Sequence, residues 1–365
     1  MDTFRRKILG MTVGTLFAGQ QVAKAMINSG SEGNESALEI DSKIVPRQLI
    51  LPPALKKGSV VAITAPASGI NLGEIQEGIE ILKSNGCEVV IGKAIYKKYG
   101  YLSAPDQERA AELMEFFERP DINCILCARG GYGVMRILPM LDFSAIKKNP
   151  KIIIGYSDIT ALLIAIHNQT KIATFHGPVA SSTFDSFTLD NFLKTLFVPK
   201  SINGQISNTA FPQITYSDSS LITLVQGIGR GHLVGGNLSM IVSTLGTPYE
   251  IDTKGAILFL EEVSEEPYKI DRMLTQLWLA GKLKQCAGIA LGHFKNCEAT
   301  SKSGLDISFT LQQVLEARIQ SLGIPAVYGL PFGHVKSKMT IPIGVQAELN
   351  ATEKTFTIIE PSVIV

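Results

Sequence analysis

The sequence predicts an α/β protein with two domains, and three observations support this. Its 365 residues suit two domains better than one. A composition of 45% hydrophobic and 18% charged residues supplies material for buried cores and argues against disorder. Short apolar segments alternate with longer amphipathic ones, which is typical of a parallel sheet covered by helices on both faces.

The first domain is predicted over residues 55–200 and is Rossmann-like or flavodoxin-like. Its strands are expected in "SVVAITAPAS", "CEVVIGKA", "INCILCA", "PKIIIGYSD" and "IATFHGP". Amphipathic segments between them, such as "DQERAAELMEFFERP", have apolar residues at helical spacing. Neither GxGxxG nor GxxxxGK[ST] occurs, so we predict no nucleotide cofactor, and no other cofactor is indicated.

The regular pattern is lost over residues 201–228, which we interpret as the crossing between the domains. Residues 229–365 then predict a smaller α/β domain, β-rich and of the swivelling type. Its strands include "GAILFLEE" and "CAGIALGHF". The last two segments, "MTIPIGVQAELN" and "TFTIIEPSVIV", are expected to pair with each other.

Residues 1–25 have the pattern of an export signal. Arg5, Arg6 and Lys7 precede an apolar stretch that is too short to span a bilayer, and Ala23-Lys24-Ala25 is typical of a cleavage site. The adjacent arginines resemble a twin-arginine signal, followed by a linker over residues 26–54. We therefore predict a periplasmic protein without stable membrane insertion. If the signal is not functional, the protein is cytoplasmic.

Charge and cysteines exclude other classes of function. The formal net charge is +1 without a long basic run, so no nucleic-acid partner is predicted. Cys124 and Cys127 form a CxxC inside an apolar strand, where residues three apart point to opposite faces. We interpret them as buried hydrophobes and predict no metal site.

The stretch "KIIIGYSDIT" breaks a buried strand at Gly155 and presents Ser157 on a turn, which is one way to expose a nucleophile. A serine nucleophile needs a histidine base and an acceptor that orients the histidine. His176 and His334 both lie in segments that can line a cleft. For the acceptor, spacing alone does not separate Glu261 from its neighbour Glu262.

Six blocks resemble the LD-carboxypeptidases, or muramoyltetrapeptide carboxypeptidases. They are "LCARGGYGVMRILPMLD", "IIGYSDITALL", "FHGP", "GGNLSMIVSTLGTP", "LFLEEVSEEPYKIDRMLTQL" and "GLPFGHVKSKMTIPIGVQA". The resemblance implies a Ser-Glu-His serine peptidase with Ser157 as nucleophile, Glu261 as acceptor and His334 as base. It implies cleavage of the L,D-amide between a diamino acid, meso-diaminopimelate or L-lysine, and the terminal D-alanine of murein tetrapeptides. It also suggests a homodimer.

Other residues receive auxiliary roles. The Asp158 amide and the Gly131 amide are candidates for the oxyanion hole. Arg129, with Gly130, is a candidate for binding the substrate carboxylate, although Arg129 can also be a structural ion-pair partner. Asn237 fits a helix cap better than a substrate contact.

Two other functions remain open. A microcin-C-type immunity peptidase would use the same three residues on a peptidyl-nucleotide mimic, although "RGGYG" favours the cell-wall branch. A non-catalytic periplasmic protein that binds murein peptides would also fit an export signal and two α/β domains.

Overall fold

The computed structural model describes residues 49–198, 213–299 and 307–365. The predicted export signal, and the predicted linker up to residue 48, lie outside the described residues. Residues Gln48–Val365 form one compact unit. In the described ranges, no helix combines the length and the apolar character needed to cross a membrane.

The regular elements follow the predicted alternation closely in the first half of the chain. The strands are β1 (Val60–Thr64), β2 (Glu88–Ile91), β3 (Ile122–Cys127), β4 (Ile152–Gly155), β5 (Thr174–His176), β6 (Ile214–Ser217), β7 (Ile222–Val225), β8 (Ile228–Asn237), β9 (Ala256–Val263), β10 (Gly288–Lys295), β11 (Ala326–Tyr328), β12 (Ile341–Ile343), β13 (Gln346–Asn350) and β14 (Thr355–Ile358). The α-helices are α1 (Gln76–Ser84), α2 (Asp106–Glu118), α3 (Val134–Ile137), α4 (Phe143–Lys148), α5 (Ile159–Thr170), α6 (Ser186–Leu196), α7 (Leu238–Ser243), α8 (Pro267–Leu279) and α9 (Leu311–Ile319).

The first sheet has six strands in the order β12-β5-β4-β3-β1-β2. Strands β1 to β5 are parallel and have the 2-1-3-4-5 order of flavodoxin-like sheets, so the predicted α/β fold class is confirmed. In such a sheet the order reverses between β1 and β3, and ligands bind beyond the carboxyl ends of the strands at this switch point.

The second sheet has eight strands in the order β6-β14-β13-β8-β9-β10-β11-β7. Its centre, β8 to β11, is parallel, and antiparallel strands extend it on both sides. Strands β6 and β7 lie in the segment for which the sequence predicted no regular structure. Both are edge strands of four residues, too short to give a clear alternating pattern.

The segment "MTIPIGVQAELN" corrects one prediction. It is not a single strand, because β12 and β13 belong to different sheets. β12 pairs with β5 and so extends the first sheet, whereas β13 pairs with β14 as predicted. Pro342 has no N–H to donate, which suits its position on an edge strand.

The two sheets share one hydrophobic core. A single cluster of buried side chains includes Phe117 beneath the first sheet, Leu162 of α5 and Phe259 of the second sheet. A second cluster covers the other face of the first sheet. Cys124 and Cys127 lie in different clusters, and both side chains are buried, as predicted. Burial raises the pKa of both thiols.

Candidate active site

Ser157 lies on a sharp turn between β4 and α5. The four residues of β4 are fully buried, and α5 begins two residues after the serine. Ser157 has a φ of 65°, a left-handed conformation that costs a non-glycine residue about 1–3 kcal/mol. The turn places Ser157 at the carboxyl edge of the first sheet and at the N-terminus of a twelve-residue helix. This is the geometry predicted for an exposed nucleophile.

The loop after β3 lies directly against this turn. A Cβ atom built on Gly130 would stand 2.7 Å from Ser157 Cβ, 3.0 Å from Ser157 Oγ and 3.2 Å from the Asp158 nitrogen. Only a residue without a side chain therefore allows the loop to approach the serine so closely. This contact places Gly130, a predicted substrate-binding residue, next to Ser157, the predicted nucleophile.

Ser68, for which the sequence predicted no role, holds the same loop from the segment that follows β1. Its Oγ accepts a hydrogen bond from the Tyr132 amide at 3.1 Å, and its own amide donates to the Gly130 carbonyl at 3.4 Å. The only signal in the sequence was the run of small residues that ends "SVVAITAPAS".

Two backbone amides near Ser157 are available to bind an oxyanion. Among the described residues, neither the Asp158 amide nor the Gly131 amide donates a hydrogen bond to another group. Asp158 immediately follows Ser157, and Gly131 follows the glycine that contacts Ser157. Both predicted donors therefore lie at the loop and turn that surround Ser157.

Glu261 and His334, far apart in sequence, form a hydrogen bond in the structure. The Nδ1 atom of His334 lies 2.7 Å from Oε2 of Glu261, which is fully buried near the end of β9. A carboxylate at Nδ1 fixes the imidazole tautomer, so that Nε2 keeps its lone pair. Gly333, with a φ of 99°, lets the loop pass next to this carboxylate, because a Cβ there would meet Glu261 Oε2 at 2.7 Å.

The structure shows which of the two neighbouring glutamates contacts His334, a choice that sequence spacing alone did not decide. Successive residues of a strand point to opposite faces, so Glu262 faces α7 instead of His334. Its carboxylate accepts hydrogen bonds from Asn237 Nδ2 and from the amide and hydroxyl of Ser239, at 2.6–2.9 Å. Burial raises the pKa of Glu262. Asn237 also caps α7 by accepting from the Met240 amide, as predicted.

Tyr156 connects the serine turn to the histidine. Its ring packs edge-on against the His334 ring, with centroids 4.9 Å apart. On another side, Lys338 Nζ lies 5.5 Å from the centre of the Tyr156 ring. Lys338 is buried, and this burial lowers its pKa. No sequence pattern pointed to a role for Tyr156 or Lys338.

Ser157 and His334 are not joined by a hydrogen bond in the part of the chain that the structure describes. The structure thus unites Glu261 with His334 and brings Ser157 to their neighbourhood through the adjacent Tyr156. Catalytic hydrogen bonds are often long in substrate-free enzymes and shorten when substrate binds.

Arg129 borders a cavity at the switch point of the first sheet. The cavity has a volume of about 380 Å³, and its lining includes Ser68 after β1, Lys98, Tyr101 and Arg129 after β3. Arg129 is half-buried and donates one long hydrogen bond, 3.4 Å, to the Gly69 carbonyl. It has no ion pair with any carboxylate in the described ranges, which argues against a purely structural role.

In the described ranges, no three His, Cys, Asp or Glu side chains are grouped so that they could hold a metal ion.

Because the carboxyl group of Asp158 is buried, we expect the free energy of unfolding to depend on pH. Burial raises its pKa to about 6, although the Val134 amide at 2.9 Å and the nearby Arg109 oppose this. The folded state therefore holds a proton that the unfolded state releases near pH 4, and its stability falls between about pH 4 and pH 6 by about 2–3 kcal/mol.

We expect Asp158→Asn to remove this loss, because its Oδ1 can still accept from Val134. The variant should be more stable than the wild type at pH 7.5 by about 1–3 kcal/mol and equal to it at pH 4, as measured by urea unfolding. Equal differences at both pH values would contradict this assignment.

Together the turn, the loop and the Glu261–His334 pair define an α/β protein with a candidate site for acyl transfer. Family models described as LD-carboxypeptidase N-terminal domain and LD-carboxypeptidase C-terminal domain match residues 61–177 and 230–349. The chain belongs to the LD-carboxypeptidase family. The resemblance seen in the motifs is thereby confirmed, and so is the prediction of a carboxypeptidase.

Relatives extend over most of the chain. The probable murein peptide carboxypeptidase of Bacillus subtilis is 44% identical over 306 residues, which cover 83% of this chain and 92% of that relative. The microcin C7 self-immunity protein of Escherichia coli is 30% identical over 323 residues, covering 81% and 91%. The crystal structure of muramoyltetrapeptide carboxypeptidase from Oxalobacter formigenes is similar with a TM-score of 0.69 and 31% identity, covering 82% and 97%.

Proposed function

We propose that the chain is a serine carboxypeptidase that releases the terminal D-alanine of murein tetrapeptides by cleaving its L,D-amide bond to a diamino acid. The observation that carries this proposal is the strained Ser157 turn beside Gly130, close to a histidine already oriented by a buried glutamate. Relatives named as murein peptide and murein tetrapeptide carboxypeptidases support the substrate class. The reaction would serve recycling or remodelling of peptidoglycan.

In the proposed mechanism, His334 Nε2 accepts the proton of Ser157 Oγ as that oxygen attacks the scissile carbonyl carbon. The imidazolium that forms is stabilised by Glu261, whose oxygen lies 2.7 Å from Nδ1. The Asp158 and Gly131 amides donate to the oxyanion of the tetrahedral intermediate. His334 then returns the proton to the nitrogen of D-alanine, and water hydrolyses the acyl-enzyme with the same base.

Arg129 is proposed to recognise a carboxylate of the substrate. Its guanidinium borders the cavity and makes one hydrogen bond among the described residues, so most of its N–H groups can donate to a ligand. Arg129 lies one residue before Gly130, which contacts Ser157. A planar guanidinium binds a carboxylate through two parallel hydrogen bonds, a geometry that a lysine ammonium does not reproduce.

We expect Arg129→Met to raise KM by about 10- to 100-fold with a smaller effect on kcat, because a charge-assisted hydrogen bond to the substrate is lost. The KM of Arg129→Lys should lie between those of the wild type and Arg129→Met. Arg230→Met, which removes an exposed arginine paired with Glu348, is the control and should leave KM unchanged. A wild-type KM in Arg129→Met would exclude this role.

The proposed reaction is tested by incubating the purified chain with a murein tetrapeptide and, separately, with a peptidyl-nucleotide mimic, followed by mass spectrometry. Release of D-alanine supports the carboxypeptidase. Release of an aminoacyl nucleotide instead would favour an immunity peptidase, in line with the structural similarity to the microcin C7 self-immunity protein. Binding of tetrapeptide without cleavage would favour a binding protein.

The place of this reaction is proposed to be the periplasm, because residues 1–25 have the pattern of an export signal. Fractionation of cells that produce the full chain tests this, and changing Arg5 and Arg6 to lysine tests the twin-arginine route. Sedimentation of the purified chain tests the proposed homodimer.

A further inference from the structure

His176 is an unusual buried histidine close to the candidate active site. It ends β5, pairs in register with Gly155 of β4, and is only 1% exposed. Within the described part of the chain, neither of its ring nitrogens has a hydrogen-bond partner. Buried polar groups are nearly always satisfied, so two unsatisfied nitrogens on one ring require an explanation.

Glu261, too, has a buried polar atom that lacks a hydrogen-bond partner among the described residues. Its Oε2 is engaged by His334, but its Oε1 is buried and has no hydrogen-bond partner among the described residues. A fully buried carboxylate normally needs several donors to remain charged.

His176 packs against the strand that carries Glu261. The His176 ring packs edge-on against Phe259, with centroids 5.4 Å apart, and against Phe332 at 6.4 Å. Phe259 lies two residues before Glu261 on β9, so both side chains project from the same face of that strand. His176 therefore lies on the side of β9 from which Glu261 reaches His334.

The charged and titratable groups that face His176 come from three elements. Glu261 lies on β9, His334 and Lys338 on the loop before β12, and Tyr156 on the turn after β4. Burial lowers the pKa of His176 to about 4, so at neutral pH its ring is uncharged with one N–H to donate. Lys338 can only donate a hydrogen bond, whereas a carboxylate oxygen accepts one. Among these groups, Glu261 offers a buried acceptor, Oε1, that has no hydrogen-bond partner in the described residues.

We propose that His176 is a positioning residue for the catalytic carboxylate: when substrate is bound, a ring N–H of His176 donates to Glu261 Oε1, the oxygen that His334 does not use. One donor on each oxygen would stop rotation of the carboxylate and hold the His334 ring in the orientation that leaves Nε2 toward Ser157. The inference rests on the proposed peptidase reaction.

Three substitutions test it. His176→Phe keeps an aromatic ring but has no donor, and it should lower kcat by about 10- to 100-fold, as expected for one lost hydrogen bond to a charged group, with KM nearly unchanged. His176→Asn and His176→Gln place an amide N–H near the position of one or the other ring nitrogen. At least one of them should recover most of the activity.

The pH profile separates positioning from packing. Without the second donor, the full charge of Glu261 acts on His334, so the acid limb of kcat/KM should move to higher pH by about 0.5–1 unit in the phenylalanine variant and return in the active amide variant. Equal loss of activity in all three variants, with an unshifted acid limb and parallel losses of Tm, would overturn the proposal, as would a fully active His176→Phe.

A measurement that leaves His176 in place keeps the inference testable if the His176 variants do not fold and if the peptidase assay is negative. In ¹⁵N-histidine NMR of Ser157→Ala with an uncleaved tetrapeptide bound, we expect His176 to be neutral with one protonated nitrogen, whose resonance shifts when Glu261→Gln is added. Resonances of His176 that do not respond to Glu261→Gln would overturn the inference. Failure to release D-alanine, in contrast, would contradict only the proposed function.

Discussion

Ser157→Ala is expected to lower kcat by about 10⁴- to 10⁶-fold, because no other group of the site can form the acyl-enzyme. The fold should be unaffected. Alanine keeps the Cβ that packs beside Gly130 and tolerates the φ of 65° no better and no worse than serine. Release of D-alanine from a tetrapeptide, followed by mass spectrometry, measures the loss.

Ser157→Gly adds a second readout, because glycine adopts a positive φ without strain. The glycine variant should be as inactive as the alanine variant but more stable than it by about 1 kcal/mol. Lys171→Gly is the matched control. Lys171 has a φ of 66° at the other end of α5 and is exposed, so this change should stabilise the protein and leave kcat intact.

Two outcomes would contradict this account. If Ser157→Ala kept more than about 1% of the wild-type rate, the nucleophile would have to be another group. If the wild type bound tetrapeptide without cleaving it, and Ser157→Ala bound it equally well, the chain would be a binding protein.

The first sheet was predictable because its strands are short, apolar and bounded by glycine, while the helices between them carry a clear amphipathic pattern. Ser157 could be found because a strand that ends in Gly155 and presents a serine departs from ordinary turn composition. The motif order then supplied Glu261 and His334, which local patterns alone did not distinguish from Glu262 and His176.

What the sequence did not reveal depends on contacts between distant segments. The segment around Pro342 reads as one strand, yet β12 joins the first sheet and β13 the second, because edge pairing is decided by which backbone lies nearby. Ser68 and Lys338 likewise acquire a role only through the loop and the ring that they contact.

The shared core also limits how the site can form. The predicted domain bounds put Ser157 in the first domain and His334 in the second. In the structure, α5 packs in the same buried cluster as β8 and β9, so the helix that follows Ser157 is fixed to the strand that carries Glu261. We therefore expect a hydrogen bond between Ser157 and His334 to form by movement of the loop that carries His334, and not by displacement of α5 from β9.

Glu261→Gln is expected to lower kcat by roughly 10³- to 10⁴-fold without unfolding the protein, because the amide nitrogen of glutamine can donate to His334 Nδ1 and so favour the wrong tautomer. Glu262→Gln is the control on the same strand. Its carboxylate accepts from Asn237 and Ser239, so an amide there leaves donors facing each other and should lower the free energy of unfolding by about 1–3 kcal/mol. Activity at low temperature should remain. Steady-state kinetics and urea unfolding should show that Glu261→Gln loses kcat but keeps its stability, and that Glu262→Gln loses stability but keeps kcat. If only Glu262→Gln lost kcat, the residue that orients His334 would be Glu262, on the other face of β9.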